Sequence, residues 1–181
     1  MIFEEKKITL KNGQTAILRN PCMEDAERML NNIKQACGET EFLSRYPEEW
    51  NIGVEQEAAW IDQKLSSPND LVIACAIDGS VVGTCEIMFK TGLKNSHRAT
   101  VGISILKAYW NLGIGSAMFP ELIAAAEKRG TEIMELELIE GNERAKRLYE
   151  KFGFRVVAKK PNAFKTKDGG YQTDLYMQKY L

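Results

Sequence analysis

Between Ala99 and Phe152 the sequence sets out a strand, a glycine turn, a helix, a second strand and a second helix in immediate succession. Val101, Ile103 and Ile105 alternate with Thr100, Gly102 and Ser104, a period of two that gives the strand Ala99 to Leu106 one bulky face and one small face. Helical spacing takes over from Gly113 to Arg129 and yields to a strand from Ile133 to Ile139. It resumes from Asn142 to Phe152, with Ala145, Leu148, Tyr149 and Phe152 on one side. A β-α-β-α centre of this kind buries its apolar faces in a mixed α/β sheet flanked by helices. The small face of Ala99 to Leu106 would let an extended ligand lie close to the strand backbone.

The flanking chain supplies further strands and helices. Lys7 to Leu10 and Gln14 to Arg19 read as strands joined at Lys11-Asn12-Gly13, where Asn-Gly provides the positive φ of a tight hairpin. Leu71 to Ile77 and Val81 to Phe89 make a second hairpin around Asp78-Gly79. Helical spacing at Ala26, Met29, Leu30, Ile33 and Ala36 ends at Gly38, and a helix over Val54 to Leu65 stops at Ser66-Ser67-Pro68-Asn69. Between them Glu39 to Gly53 has no clean period and reads as a loop with short helical turns. Phe154 to Lys159 and Gln172 to Lys179 close the sheet around the turn-rich stretch Thr166 to Gly170. Pro120 falls inside a helix, where its missing amide predicts a bend. No repeat or low-complexity linker divides the chain, so one domain is expected.

Lys and Arg number 24 against 25 Asp and Glu, a net charge of -1, which exerts no pull toward a polyanion; nucleic acid is not an expected partner. Met1 to Lys7 is charged, and no apolar run approaches the roughly 18 to 20 residues that span a bilayer. The expectation is a cytoplasmic protein with no membrane association. Cys22, Cys37, Cys75 and Cys85 contain no C-x-x-C pair and only His97 could join them, so no metal site is expected and the thiols read as reduced.

Gly113 and Gly115 let the main chain approach a phosphate closely, while the free amides and dipole of the new helix favour negative charge. The same glycines can serve chain geometry alone. A nucleoside-triphosphatase loop needs Gly-Lys-Ser/Thr, and no lysine follows either glycine. A dinucleotide loop, G-x-G-x-x-G with an acid about 20 residues on, would find Glu140 in place. Its third glycine, however, is Met118, and too little chain follows Glu140 for the second half of such a fold.

The segment Ala99 to Ser116 together with Leu136 to Phe154 resembles the GNAT superfamily of N-acetyltransferases. The family's phosphate motif, Gln/Arg-x-x-Gly-x-Gly/Ala, is met by Trp110-Asn111-Leu112-Gly113-Ile114-Gly115, with Trp110 replacing the first residue. The second family segment is a strand followed by Asn, Ala, Leu-Tyr and Gly-Phe. Leu136 to Ile139, Asn142, Ala145, Leu148-Tyr149 and Gly153-Phe154 meet it, and this is the more specific match. The likeness extends to Ala16 to Ala36 and to Val81-Val82-Gly83. It implies a single N-acetyltransferase domain over residues 1–181, an α/β (α+β) fold with a mixed, mostly antiparallel sheet and helices on both faces. The strands Ala99 to Leu106 and Ile133 to Ile139 are expected to splay apart. The implied cofactor is acetyl-CoA, its pantetheine arm along Ile103, Ser104 and Ile105 and its pyrophosphate on the turn Asn111, Leu112, Gly113, Ile114, Gly115 and Ser116. Asn142 suits a helix cap by its type, and in the family the matching residue also touches the cofactor arm.

Direct attack of an amine on a thioester requires a neutral amine, a polarised carbonyl and a proton for the departing thiolate. Tyr149 matches the family tyrosine that protonates the sulfur of coenzyme A. A backbone amide near Ile105 or Leu106 would polarise the carbonyl. For the base, Glu86 is a lone acid on an otherwise apolar strand, and His97 has the intrinsic pKa for such work; a solvated acid and a surface histidine are the plainer readings of each. Arg98 could contact an acidic acceptor. The first helix, Glu39 to Trp50 and the last hairpin near Asn162 to Gln172 should select the acceptor, and four acids in the middle segment would suit a cationic amine. A small-molecule primary amine is the acceptor expected first. A protein amino-terminal or lysine acetyltransferase and a non-catalytic acyl-CoA sensor are the alternatives, and Tyr149 argues against the sensor. The apolar closing strand (Leu175, Tyr176, Met177, Tyr180) is compatible with a homodimer.

Overall fold

The computed structural model describes residues 1–181, and its strands form one eight-stranded sheet in the order β1-β2-β3-β4-β5-β6-β8-β7. β1 (Lys6–Thr9) and β2 (Thr15–Arg19) form the first hairpin, and β3 (Asp70–Ile77) and β4 (Ser80–Phe89) the second. In the second, Asp78 and Gly79 adopt φ of 48° and 76°, the two successive positive values a tight hairpin turn demands. α1 (Ala26–Glu39) and α2 (Val54–Ser66) cover one face through Ala26, Met29 and Ile61, packed on Ala74 and Val81. α3 (Ile114–Lys128) and α4 (Glu143–Lys151) bury the other, where Met118, Phe119, Leu122 and Tyr149 meet Ile73, Ile87 and Leu136. α3 runs unbroken through Pro120. No helix is long and apolar enough to cross a membrane.

Every strand pair is antiparallel except β5 (Arg98–Ile105) with β6 (Ile133–Ile139). This parallel pair registers only Arg98 to Thr100 against Ile133 to Glu135, so from Val101 onward the strands part as expected. A polar knot closes the joined end. Glu135 accepts from Arg98 Nε at 2.9 Å, from the Tyr176 hydroxyl and from Thr100 Oγ1 at 3.3 Å, linking β5, β6 and β8.

The last hairpin departs from the sequence reading. β7 (Arg155–Lys165) continues past Lys159, because it is an edge strand and its register shifts between Lys160 and Phe164. Pro161, which cannot donate to a ladder, and Asn162 at φ 57° occupy that bulge. β8 (Tyr171–Tyr180) pairs with β6 on one side and β7 on the other, with Leu175 and Met177 buried. It is therefore no edge, and the apolar closing strand loses its force as an argument for a dimer.

Candidate active site

The phase of the β4–β5 ladder decides what the gap presents. The Leu106 amide donates to the Val82 carbonyl at 3.0 Å, which makes Gly83 with Ile105, and Cys85 with Ile103, non-bonded pairs. The amides and carbonyls of Val101, Ile103 and Ile105 consequently turn away from β4 toward β6. At the joined end this phase is used: the His97 carbonyl accepts from the amides of Glu132 and Ile133. Beyond Thr100 there is no β6 residue in register, so an interior strand offers a row of backbone groups to whatever enters the gap. Leu106, expected as a carbonyl polariser, is already committed to Val82; Ile103 and Ile105 keep amides that face the gap.

At the open end Asn111 (φ 63°) and Gly113 (φ 101°) reverse the chain into α3. The Gly113 carbonyl accepts from Ala117, but the amides of Gly113, Ile114, Gly115 and Ser116 have no acceptor within the chain. They form the positive end of α3. Gly115 permits close approach of α4, since a Cβ there would stand 2.7 Å from Leu148 Cδ2. A cavity of about 490 Å³ runs from this loop down the gap, lined by Val101 to Ile105, Asn111, Gly113 to Ser116, Asn142, Ala145, Leu148 and Tyr149. Leu112 does not line it; its carbonyl accepts from the Lys11 amide at 3.0 Å and pins the loop to the first hairpin. Lys11, Arg144, Arg147 and Lys151 line the cavity against a single acid, Glu137, and Lys151 Nζ donates to Ser116 Oγ at 3.2 Å. Free amides, a helix dipole and four cations at one end of a long groove fit a diphosphate. Gly113→Ala should destabilise the loop by about 1–2 kcal/mol, because a side chain at positive φ is strained. Its measurable result is weaker binding of coenzyme A by calorimetry.

Tyr149 is buried and packs its ring 5.3 Å from that of Phe119; its carbonyl accepts from the amides of Phe152 and Phe154, while its hydroxyl has no partner within the chain. Burial pushes its phenol up to about 12, with Arg144 acting in the opposite direction, so the hydroxyl keeps its proton at neutral pH. Asn142 Oδ1 accepts from the Ala145 amide at 3.2 Å, which caps α4, and the residue also lines the cavity.

The proposed bases fare unequally. Glu86 stands opposite Gly102, with Oε1 4.0 Å from where a Cβ of that glycine would be. It lies behind the cavity wall rather than in it. Its Oε2 is enclosed and 3.2 Å from Lys64 Nζ, yet no donor meets it with hydrogen-bond geometry. His97 is not brought to the cavity: it precedes β5 at the joined end, and eight residues at about 3.3 Å each separate it from the loop. Arg98 is committed to Glu135 and Tyr176 rather than to an acceptor.

Several cavity residues were missed by sequence reasoning. Arg144, Arg147 and Lys151 recur at i, i+3 and i+7 on α4, a periodic signal that marks one helix face but not what it faces. Thr40, Phe42 and Leu43 reach the cavity from the irregular segment after α1. Of that segment's acids, Glu39 accepts from the Lys107 amide at 2.6 Å, Glu49 from the Tyr46 amide at 2.6 Å, and Glu48 pairs with Lys167. These three are spent on the chain itself, and of Glu41 only the carbonyl is engaged, by Gln172.

A sheet opened between two parallel strands, with an anion loop at the open end, is the architecture of an acyltransferase. The chain belongs to the acetyltransferase (GNAT) family, whose model matches residues 38–154. It is 28% identical to the L-amino acid N-acetyltransferase AaaT of Escherichia coli over 65% of its own length and 73% of the relative's. A GNAT-family acetyltransferase from Streptococcus pneumoniae shares the fold with a TM-score of 0.85 at 23% identity, over 92% of this chain and 99% of that one. The yncA protein of Salmonella typhimurium, solved with its cofactor acetyl-CoA, superposes with a TM-score of 0.78 at 19% identity over 91% of this chain and 92% of its own.

Proposed function

We infer that the enzyme transfers an acetyl group from acetyl-CoA to the primary amine of a small molecule, with both substrates bound together. The observation that carries this reading is the backbone that β6 leaves free in the gap, the amide and carbonyl of Ile103 and the amide of Ile105, continuous with the free amides of Gly113 to Ser116. An extended amide-bearing arm ending in a diphosphate complements both. Acetyl-CoA, when bound, supplies a thioester open to attack by an amine.

The chain's own contributions follow from the geometry. Ile103 and Ile105 amides orient the arm and polarise a carbonyl lying against β5. Tyr149 Oη holds a proton within the cavity and donates it to a departing thiolate. Glu86, whose Oε1 stands behind Gly102 while Oε2 faces Lys64, takes the amine proton only through water, since the carboxylate does not line the cavity. Phe42, Leu43 and Ala36 line the part of the cavity nearest α1 and give the acceptor an apolar wall. The relation to an L-amino acid N-acetyltransferase supports an acceptor of that size.

A thiol-release assay with acetyl-CoA against a panel of amino acids, other small amines and amino-terminal peptides tests this. Turnover with one or more small amines is expected. Release confined to peptides would transfer the reading to a protein acceptor, and no release with any amine would end it.

A further inference from the structure

Trp110, the residue that departs from the family's phosphate motif, has a defined place. Its indole Nε1 donates to the Ile105 carbonyl at 2.7 Å, which fastens the ring to the end of β5. Across the gap, the Arg144 guanidinium from the first turn of α4 lies over that ring, its Cζ 3.0 Å from the centroid. The pair thus bridges the two walls of the cavity. The Arg144 guanidinium forms no salt bridge and no hydrogen bond with the chain, whereas the half-buried Arg19, Lys64 and Arg98 are each paired with a carboxylate. Burial disfavours its charge, and Glu137, the cavity's one acid, is engaged by Lys160. A guanidinium stacked by its face still presents its five N–H donors at the edge, in the geometry that grips phosphate bidentately. A partly desolvated cation without a counter-ion, held in the cavity over the residue that precedes the anion loop, is a receptor for an anion.

We propose that Arg144, held by stacking on Trp110, is the cationic grip on a phosphate of coenzyme A, so that the side chain the family motif places at position 110 is replaced by one supplied across the gap. Trp110 is a positioning residue in this arrangement. The inference rests on the acetyl-CoA reading of the cavity, and the experiment separates the two.

The full-length enzyme and its Arg144→Met, Arg144→Lys, Trp110→Ala and doubly substituted (Arg144→Met with Trp110→Ala) forms are titrated calorimetrically with coenzyme A and 3′-dephospho-coenzyme A. They are also assayed with acetyl-CoA and with S-acetylpantetheine, which lacks every phosphate. Arg144→Met should weaken coenzyme A about ten- to a hundredfold, the range for hydrogen bonds to charged groups, and lower kcat/KM for S-acetylpantetheine by much less, through the nearby Tyr149 alone. Arg144→Lys keeps the charge without the planar fork and should recover only part of the loss. Trp110→Ala should weaken coenzyme A less than Arg144→Met, and the double substitution should be no worse than Arg144→Met. Loss that persists with the dephospho compound assigns the diphosphate, and loss confined to coenzyme A assigns the 3′-phosphate; both support the proposal. Equal losses with S-acetylpantetheine, or a raised KM for the amine alone, overturn it. A parent enzyme that binds no coenzyme A overturns the function instead.

Discussion

Replacing Tyr149 by Phe is expected to lower kcat by about 10²-fold or more while leaving the affinity for coenzyme A within a few-fold of the parent. The size follows from the usual value of a positioned proton donor in the transition state. Binding should survive because the ring itself is what packs. Phe119 and Phe154 surround Tyr149 at 5.3 and 6.2 Å, and Phe fills the same space. Steady-state kinetics beside calorimetry read the two effects separately; a kcat within twofold of the parent would remove Tyr149 from the chemistry. Protonation sets a second expectation. The folded phenol titrates at about 12 against 10.0 when unperturbed, so the donor stays loaded throughout the range in which an amine acceptor becomes neutral. For stability the sign is that of a raised pKa. The contribution is whole below pH 10, declines as the unfolded chain ionises above it, and is gone once pH passes about 12. Tyr149→Phe should therefore flatten the alkaline limb of the unfolding curve.

Gly83→Ala is expected to destabilise the fold by about 1–3 kcal/mol, the range for overpacking, and so to lower Tm by roughly 3 to 10 °C. A Cβ at Gly83 would stand 2.8 Å from the Ser104 carbonyl oxygen, 3.0 Å from Ile105 Cγ1 and 3.2 Å from Ile105 Cα. Two of these neighbours are backbone and cannot rotate away, so β5 must move toward the gap. That strand carries the amides assigned to the pantetheine arm. The KM for acetyl-CoA should rise along with the loss of stability. Thermal melts and initial rates on one preparation test both, and an unchanged Tm would mean that the two strands yield without strain.

Most of the element order was legible in the chain because local patterns write it. Alternation of Val101, Ile103 and Ile105, and helical spacing of Ala145, Leu148 and Tyr149, announce a strand and a helix without reference to anything distant. The Asp78-Gly79 turn is equally local, since positive φ is a property of the residues themselves. The stretch of β7 beyond Lys159 has no such local signature. Pro161 is a breaker by type, and only the edge position of the strand makes it tolerable.

The site divides along the same line. The glycine turn and the Asn142 to Phe154 segment were readable because phosphate binding by amides and helix capping depend on contiguous residues. Sequence position alone paired His97 and Arg98 with the cofactor strand; the fold puts them at its joined end, where Arg98 serves the Glu135 knot. The stacking of Arg144 on Trp110 joins residues on opposite sides of the gap, and no local pattern connects them.

The amino-acid order by itself determined the helices, all of the strands but the length of β7, the glycine turn at Gly113 to Gly115 and the family, because each rests on steric and hydrogen-bonding preferences of neighbouring residues. Tertiary structure alone decided which backbone groups of β5 remain unpaired, which acids are spent on the chain's own amides, and which cations converge on the open end. Those outcomes depend on where β6 leaves β5, a distance between strands that no contiguous stretch of sequence encodes.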